Sequence, residues 1–158
     1  MNQNGGHMFA KLKNSRGFTL IEVLLVIAII SILAGIVILA INPAKQLADS
    51  RNAQRRVDVN TIVNALYEYY ADQKVPLSNA GIPTTPTDIC ATNASSCSLI
   101  HLSALTDGGK YLVAIPKDPL AANDPFDTHY QMNIDSSSGR VVITAPYAEQ
   151  GVSISVTR

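Results

Sequence analysis

Gly17-Phe18-Thr19-Leu20-Ile21-Glu22, followed by VLLVIAIISILAGIVILAINPA over residues 23–44, is the stretch that decides the fold. Residues 23–44 hold no charged side chain and consist mostly of Ile, Leu, Val and Ala. About 20 such residues, rising 1.5 Å each, let a helix cross the hydrocarbon layer of a membrane. The anomaly is Glu22, five positions into the apolar run. An unpaired carboxylate there costs a few kcal/mol or more, roughly 2.5 on the mildest scale, and such a residue usually marks a function with a specific partner. The partner expected is a cation delivered by a neighbouring subunit.

On the N-terminal side, residues 1–17 contain Lys11, Lys13 and Arg16 and no acid. Those charges place the N-terminus in the cytoplasm by the positive-inside tendency. Lys45, Arg51, Arg55 and Arg56 follow the helix, partly offset by Asp49 and Asp58, so charge alone does not fix the orientation. A secretory signal peptide has an apolar core of about 7–15 residues and a small-residue cleavage site after it. Here the run is far longer and begins directly after Gly17, and no cysteine follows closely to suggest a lipoprotein. A plain signal anchor is the alternative, and it gives Glu22 no purpose.

Arg16-Gly17-Phe18-Thr19-Leu20-Ile21-Glu22, with its basic leader and apolar helix, resembles the prepilin processing motif of type IV pilins and type II secretion pseudopilins. The resemblance implies that a prepilin peptidase cuts between Gly17 and Phe18 on the cytoplasmic face and that the new Phe18 amine is N-methylated. It implies too that Glu22 neutralises the Phe18 amine of an adjacent subunit during assembly. Opposite charges in a low-dielectric bundle attract strongly only when geometry pairs them, so such a pair sets register more than it adds stability. Further along, Ala65-Leu66 with Tyr69, Tyr70, Asp72 and Pro76, then Ile115-Pro116-Lys117-Asp118-Pro119 with Asp127 and Tyr130, is similar to segments of the same family's heads.

The helical pattern continues past the membrane. Val59, Ile62, Val63, Leu66 and Tyr70 recur at i, i+3, i+4, i+7 and i+11 as an apolar stripe, with Arg55, Arg56, Asp58 and Glu68 expected in other directions. One helix is predicted from Phe18 to about Lys74, with a kink or local melting near Ala40–Pro43 because Pro43 lacks an N–H. Residues 75–98, with Pro76, Pro83, Pro86 and Gly81, read as a connector, and Asn93-Ala94-Ser95 fits a glycosylation sequon. Ser98 to Leu105 reads as a short helix capped by Ser98 and ended by Gly108-Gly109. Strands are predicted at Tyr111–Ile115, Thr128–Ile134, Arg140–Ala145 and Val152–Thr157. The fold class is α+β: a long N-terminal helix whose second half packs on a small antiparallel sheet of three or four strands, the pilin fold.

With 158 residues there is room for one modest head: leader 1–17, transmembrane and assembly helix 18–44, extracytoplasmic head 45–158. The leader takes three of the twelve basic residues, so the rest carries nine against twelve acids, a formal −3 that gives no nucleic-acid footprint. Cys90 and Cys97, seven apart in a polar loop, could close a disulfide in an oxidising compartment. Two thiols without a nearby His argue against zinc, and unpaired thiols remain the other reading. Asp118, Asp124 and Asp127 crowd one Pro-rich loop and could hold calcium, although Asp beside Pro also serves turns. His101 and His129 have no partner at a recognisable spacing, and no catalytic motif is present, so no enzyme and no obligatory cofactor is expected.

The function expected is a structural subunit of a pilus or pseudopilus filament. Its implied partners are other copies of itself or related subunits through 18–44, the prepilin peptidase and methylase, and the pilus or secretion assembly platform. The location implied is the inner membrane with the head outside, then a cell-surface or periplasmic filament. The alternative is a minor pilin whose head binds DNA or a surface ligand, for which Arg51, Arg55 and Arg56 are the one candidate cluster. Cysteines that precede the sheet lean towards a pseudopilin-like or small-pilin head.

Overall fold

A computed structural model describes residues 17–76, 80–92, 94 and 97–158. The basic leader with Lys11, Lys13 and Arg16, and Asn93 and Ser95 of the sequon, lie outside the described residues. The chain divides into two units, one ending at Asn42 and the other running Pro43–Arg158.

The first unit contains helix α1, Leu20–Ile41, which buries none of its residues. Its mean hydropathy reaches 3.3, and it is the one helix among the described residues long and apolar enough to cross a membrane. Asn42 ends it in the left-handed region (φ 45°), a conformation Asn tolerates better than most side chains. Helix α2, Pro43–Gln73, then starts with proline at its first position, where a missing N–H costs nothing. The single helix expected from Phe18 is therefore two helices. The interruption falls at Asn42, beside the proline that cannot donate to the preceding turn.

In the second unit the sheet is a four-stranded antiparallel meander in the order β1 (Thr87–Cys90), β2 (Asp127–Ile134), β3 (Val141–Thr144) and β4 (Ser155–Thr157). Along β2, Thr128, Tyr130 and Met132 are buried while alternate residues are half-exposed, the period-two pattern of a one-faced sheet. Val141 and Ile143 continue that face on β3. Against β3 and β4 lies α2, burying Val59, Ile62, Val63 and Leu66. Each such side chain contributes about 1.5–3 kcal/mol by leaving water. Leu105, from the short helix α3 (Ser103–Thr106), and Ile115 complete the core.

Two strand expectations need correcting. Tyr111–Ile115 is not a strand: Val113 is 89% exposed, Leu112 N–H donates to Leu105 O (3.0 Å) and Ile115 N–H to Thr92 Oγ1 (2.7 Å). Ile115 enters the core from this loop with Tyr111 and Leu112 packed against it, and the amides of Leu112 and Ile115 bond to groups outside the sheet. The strand missing from the sequence reading is β1, in the supposed connector. It has only four residues after Pro86, too short for a period, and is made a strand by pairing with β2 and by bridging Ile89 to Ile100. Residues 103–106 form the short helix, without Ser98 as cap, and Gly108 and Gly109 close it with φ of 60° and 67°.

Candidate assembly segment and the head's polar anchor

Thr19 has extended backbone (φ −78°, ψ 151°) and caps α1. Its Oγ1 accepts from the N–H of Glu22 (3.2 Å), and Glu22 Oε2 in turn accepts from the Thr19 N–H (3.0 Å) and hydroxyl (3.1 Å). This reciprocal capping box satisfies donors that the start of a helix would otherwise leave unpaired. Thr19 and Glu22 stand at the Thr-x-x-Glu spacing of such a box, a local signal present in the sequence beside the cost of the charge. Glu22 also lines a shallow groove of about 380 Å³ with Phe18, Val23, Val26 and Ile27. Its carboxylate thus sits at the edge of an apolar face. At Gly17 a Cβ would meet nothing within 4 Å and the backbone is not in the left-handed region, so the fold places no demand for glycine there.

The head holds an ion-pair network that the sequence reading missed. Arg55 and Asp58, expected away from the core, are buried. Arg55 donates through Nε and Nη2 to the two oxygens of Asp118 (2.6 and 2.9 Å), and both side chains are fully buried. Its Nη1 donates to Asn52 Oδ1 (3.0 Å) and Glu149 Oε2 (2.9 Å). Arg51 grips the same Glu149 through Nε and Nη2, both at 2.6 Å. Asn52 Nδ2 donates to Glu149 O, and Glu149 N–H returns a bond to Asn52 Oδ1, each 3.0 Å. Asp118 holds the Arg55 guanidinium charged, and Arg51 with Arg55 pulls the Glu149 carboxyl down to about 2. One turn on, the buried Tyr130 hydroxyl donates to Asp58 Oδ2 (2.6 Å), while burial and then that carboxylate push the phenol's pKa up. These bonds pin α2 to the Pro-rich loop, to β2 and to the β3–β4 loop. Asp118 and Glu149 lie 63 and 94 residues from Arg55, so no local spacing could have announced the cluster.

This placement changes the reading of the other candidates. Arg51 and Arg55 are engaged by carboxylates, leaving Arg56 as the exposed member of that trio. The three loop aspartates are each occupied by donors. Asp118 takes Arg55 and the N–H of Leu120, Asp124 takes the N–H groups of Phe126 and Asp127, and Asp127 takes that of His129. That pattern staples the loop through N–H and guanidinium donors. His129 has an acidic partner after all, Asp124 Oδ2 at 3.3 Å, and its ring lies 4.8 Å from that of Tyr147. Cys90 and Cys97 are disulfide-bonded, with Cα atoms 5.9 Å apart. His101 lies beside them, contrary to the expectation of thiols without a nearby His.

An exposed apolar N-terminal helix, together with a second unit in which a helix covers an antiparallel meander, defines an α+β protein of the pilin-like class. A family model described as the prokaryotic N-terminal methylation motif matches residues 12–38. The chain is 30% identical over 131 residues to the type II secretion system core protein G of Aeromonas hydrophila, covering 83% of this chain and 81% of that protein. It is 33% identical over 113 residues to the core protein G of Vibrio cholerae, covering 69% and 68%. It is 28% identical over 111 residues to the type IV wide pilus major component PilA4 of Thermus thermophilus, covering 66% and 85%. No solved structure matches it significantly. The chain belongs to the type IV pilin and type II secretion pseudopilin family.

Proposed function

We propose that this protein is a non-enzymatic structural subunit of a pilus or pseudopilus filament, anchored in the membrane by α1 before assembly. The observation that carries the reading is Glu22 on the exposed apolar face of α1, in a chain similar over most of its length to secretion core protein G and pilus components. A prepilin peptidase cuts between Gly17 and Phe18 on the cytoplasmic face, and the Phe18 amine is methylated. Support comes from Gly17, whose small side chain the fold does not need and an external enzyme would read. The head stands outside the cytoplasmic membrane, in keeping with the Cys90–Cys97 disulfide.

In the membrane-inserted subunit the capping box keeps Glu22 hydrogen-bonded within its own chain. During assembly the carboxylate meets the Phe18 ammonium of a neighbour. Each charge alone is costly to desolvate, so the pair selects one stagger between subunits. Two variants test this. Glu22→Val removes charge and cap together, whereas Glu22→Gln keeps an oxygen for the cap and removes only the charge. Both should reach the membrane fraction and neither should yield filaments by electron microscopy. Filaments from Glu22→Gln would overturn the pairing and leave Glu22 as a helix cap.

A further inference from the structure

Where the Pro-rich loop meets the β3–β4 loop, aromatic rings collect at the surface of the head. Phe126 and Tyr147 are 47% and 52% exposed. The His129 ring lies 4.8 Å from that of Tyr147, and its Nε2 is 3.3 Å from Asp124 Oδ2, while Asp124 Oδ1 accepts the Phe126 N–H (2.8 Å). His129 takes this place from a left-handed backbone (φ 62°), which is uncommon for a residue with a Cβ and persists where its surroundings over-determine it. The result is an aromatic ledge with the Asp124 carboxylate partly open to solvent beside it. Asp127 adds a second acid there, and Lys117, bonded to Asp124 O, one cation. Exposed rings are the side chains enriched where proteins meet.

Helix α2 carries a surface of the opposite charge. Val59, Ile62, Val63 and Leu66 face the sheet, whereas Arg56 and Val57 are exposed, Val57 by 59%. Arg56 makes no ion pair with another described residue, although Arg51 and Arg55 both do. Arg55, its neighbour in the chain, grips Asp118, whose N–H donates to Thr128 O (2.9 Å), so Arg56 and the ledge stand at one level of the head. One surface combines rings with a carboxylate. The other combines an apolar side chain with a guanidinium, the cation that stacks on ring faces and forks onto carboxylates.

We propose that these two surfaces dock on each other between copies of this chain: Arg56 and Val57 of one head seat on the ledge of Phe126, His129 and Tyr147 of the next, with Arg56 paired to Asp124. The proposal rests on the filament reading above. Because the two patches differ, the contact is heterologous, and every copy offers both halves of it. Such a contact repeats into an open polymer wherever its rotation does not close a ring. A patch this small suffices because α1 packing already holds the copies together, so the heads meet at high effective concentration.

The test is photocross-linking of the full chain in cells that assemble filaments, with filaments scored separately by electron microscopy. Tyr147→p-benzoylphenylalanine exchanges one exposed ring for a photoreactive one. Illumination should give a dimer band, and mass spectrometry should place the cross-link on residues 53–61 of another copy. Val57→p-benzoylphenylalanine is the reciprocal probe and should reach residues 118–129 or 145–148. Arg56→Glu should keep the wild-type thermal midpoint and lose most of the cross-link from position 147. Filaments without these cross-links, cross-links from position 147 to the ledge of another copy or to a different protein, or an undiminished cross-link in Arg56→Glu would each overturn the docking and leave the filament reading standing. Absence of wild-type filaments would overturn that reading, and this contact with it.

Discussion

At Arg55, four N–H donors meet the side chains of Asp118, Asn52 and Glu149 in the interior of the head, and each of those partners is fixed by a different part of the chain. Removing one member of such a buried pair strands the other, at a cost of about 3–5 kcal/mol, whereas replacing both by apolar groups is often neutral. Arg55→Ala should therefore lower the head's urea midpoint by that amount of free energy. Arg55→Met with Asp118→Leu should recover most of it. Glu149 adds a pH signature. Its folded carboxyl titrates near 2, below the ordinary value of 4.5, so its stabilisation is present above about pH 4.5 and is lost as pH falls towards 2. Glu149→Gln should melt lower than the wild type at neutral pH, and the two thermal midpoints should converge as the buffer is acidified through that window. Glu22 stood out in the sequence because its cost in an apolar run is a local property, although the bonds to Thr19 that the structure gives it are a different feature from the inter-subunit partner expected there. Arg55 did not, because a helix-surface arginine and a buried one look alike until the loops that face it are placed.

The elements divide in the same way. Helix α1 and the stripe on α2 follow from composition and a 3.6-residue period, and β2, β3 and β4 follow from alternation between turns, so these elements were legible in advance. At the termini of α1, Asn42 and the Thr19–Glu22 capping box were written in single residues that propensity arguments pass over. Strand β1 and the loop at Tyr111–Ile115 were exchanged because tertiary pairing overrode local preference. Thr87–Cys90 found an edge to join, while Tyr111–Ile115 bonded its amides to Leu105 and Thr92. The disulfide at the end of β1 closes a short loop, for which the chain-entropy relation gives about 2–3 kcal/mol. The paired variant Cys90→Ser with Cys97→Ser should lose about that much stability in urea denaturation under non-reducing conditions. It should retain the sheet's circular dichroism, because Cys90 and Ile100 keep their backbone bonds.

For the molecule as a whole, the two units carry separate duties: α1 provides an apolar surface with one carboxylate, and the second unit is a head stapled by ion pairs and a disulfide. Changes at the proposed Gly17–Phe18 cleavage point should therefore leave the head untouched. Gly17→Val, in open space, should give the same thermal midpoint and the same membrane fraction as the wild type, yet remain uncut on gels. A loss of folding instead would tie Gly17 to the structure and not to an enzyme. The fate of residues 1–17 decides most directly whether this chain is a filament subunit made as a precursor. Intact mass and N-terminal sequencing of the membrane or sheared-filament fraction, with and without a co-expressed prepilin peptidase, measure it. A chain that begins at a methylated Phe18 is expected only when the peptidase is present. A chain that keeps residues 1–17 beside an active peptidase would contradict that expectation.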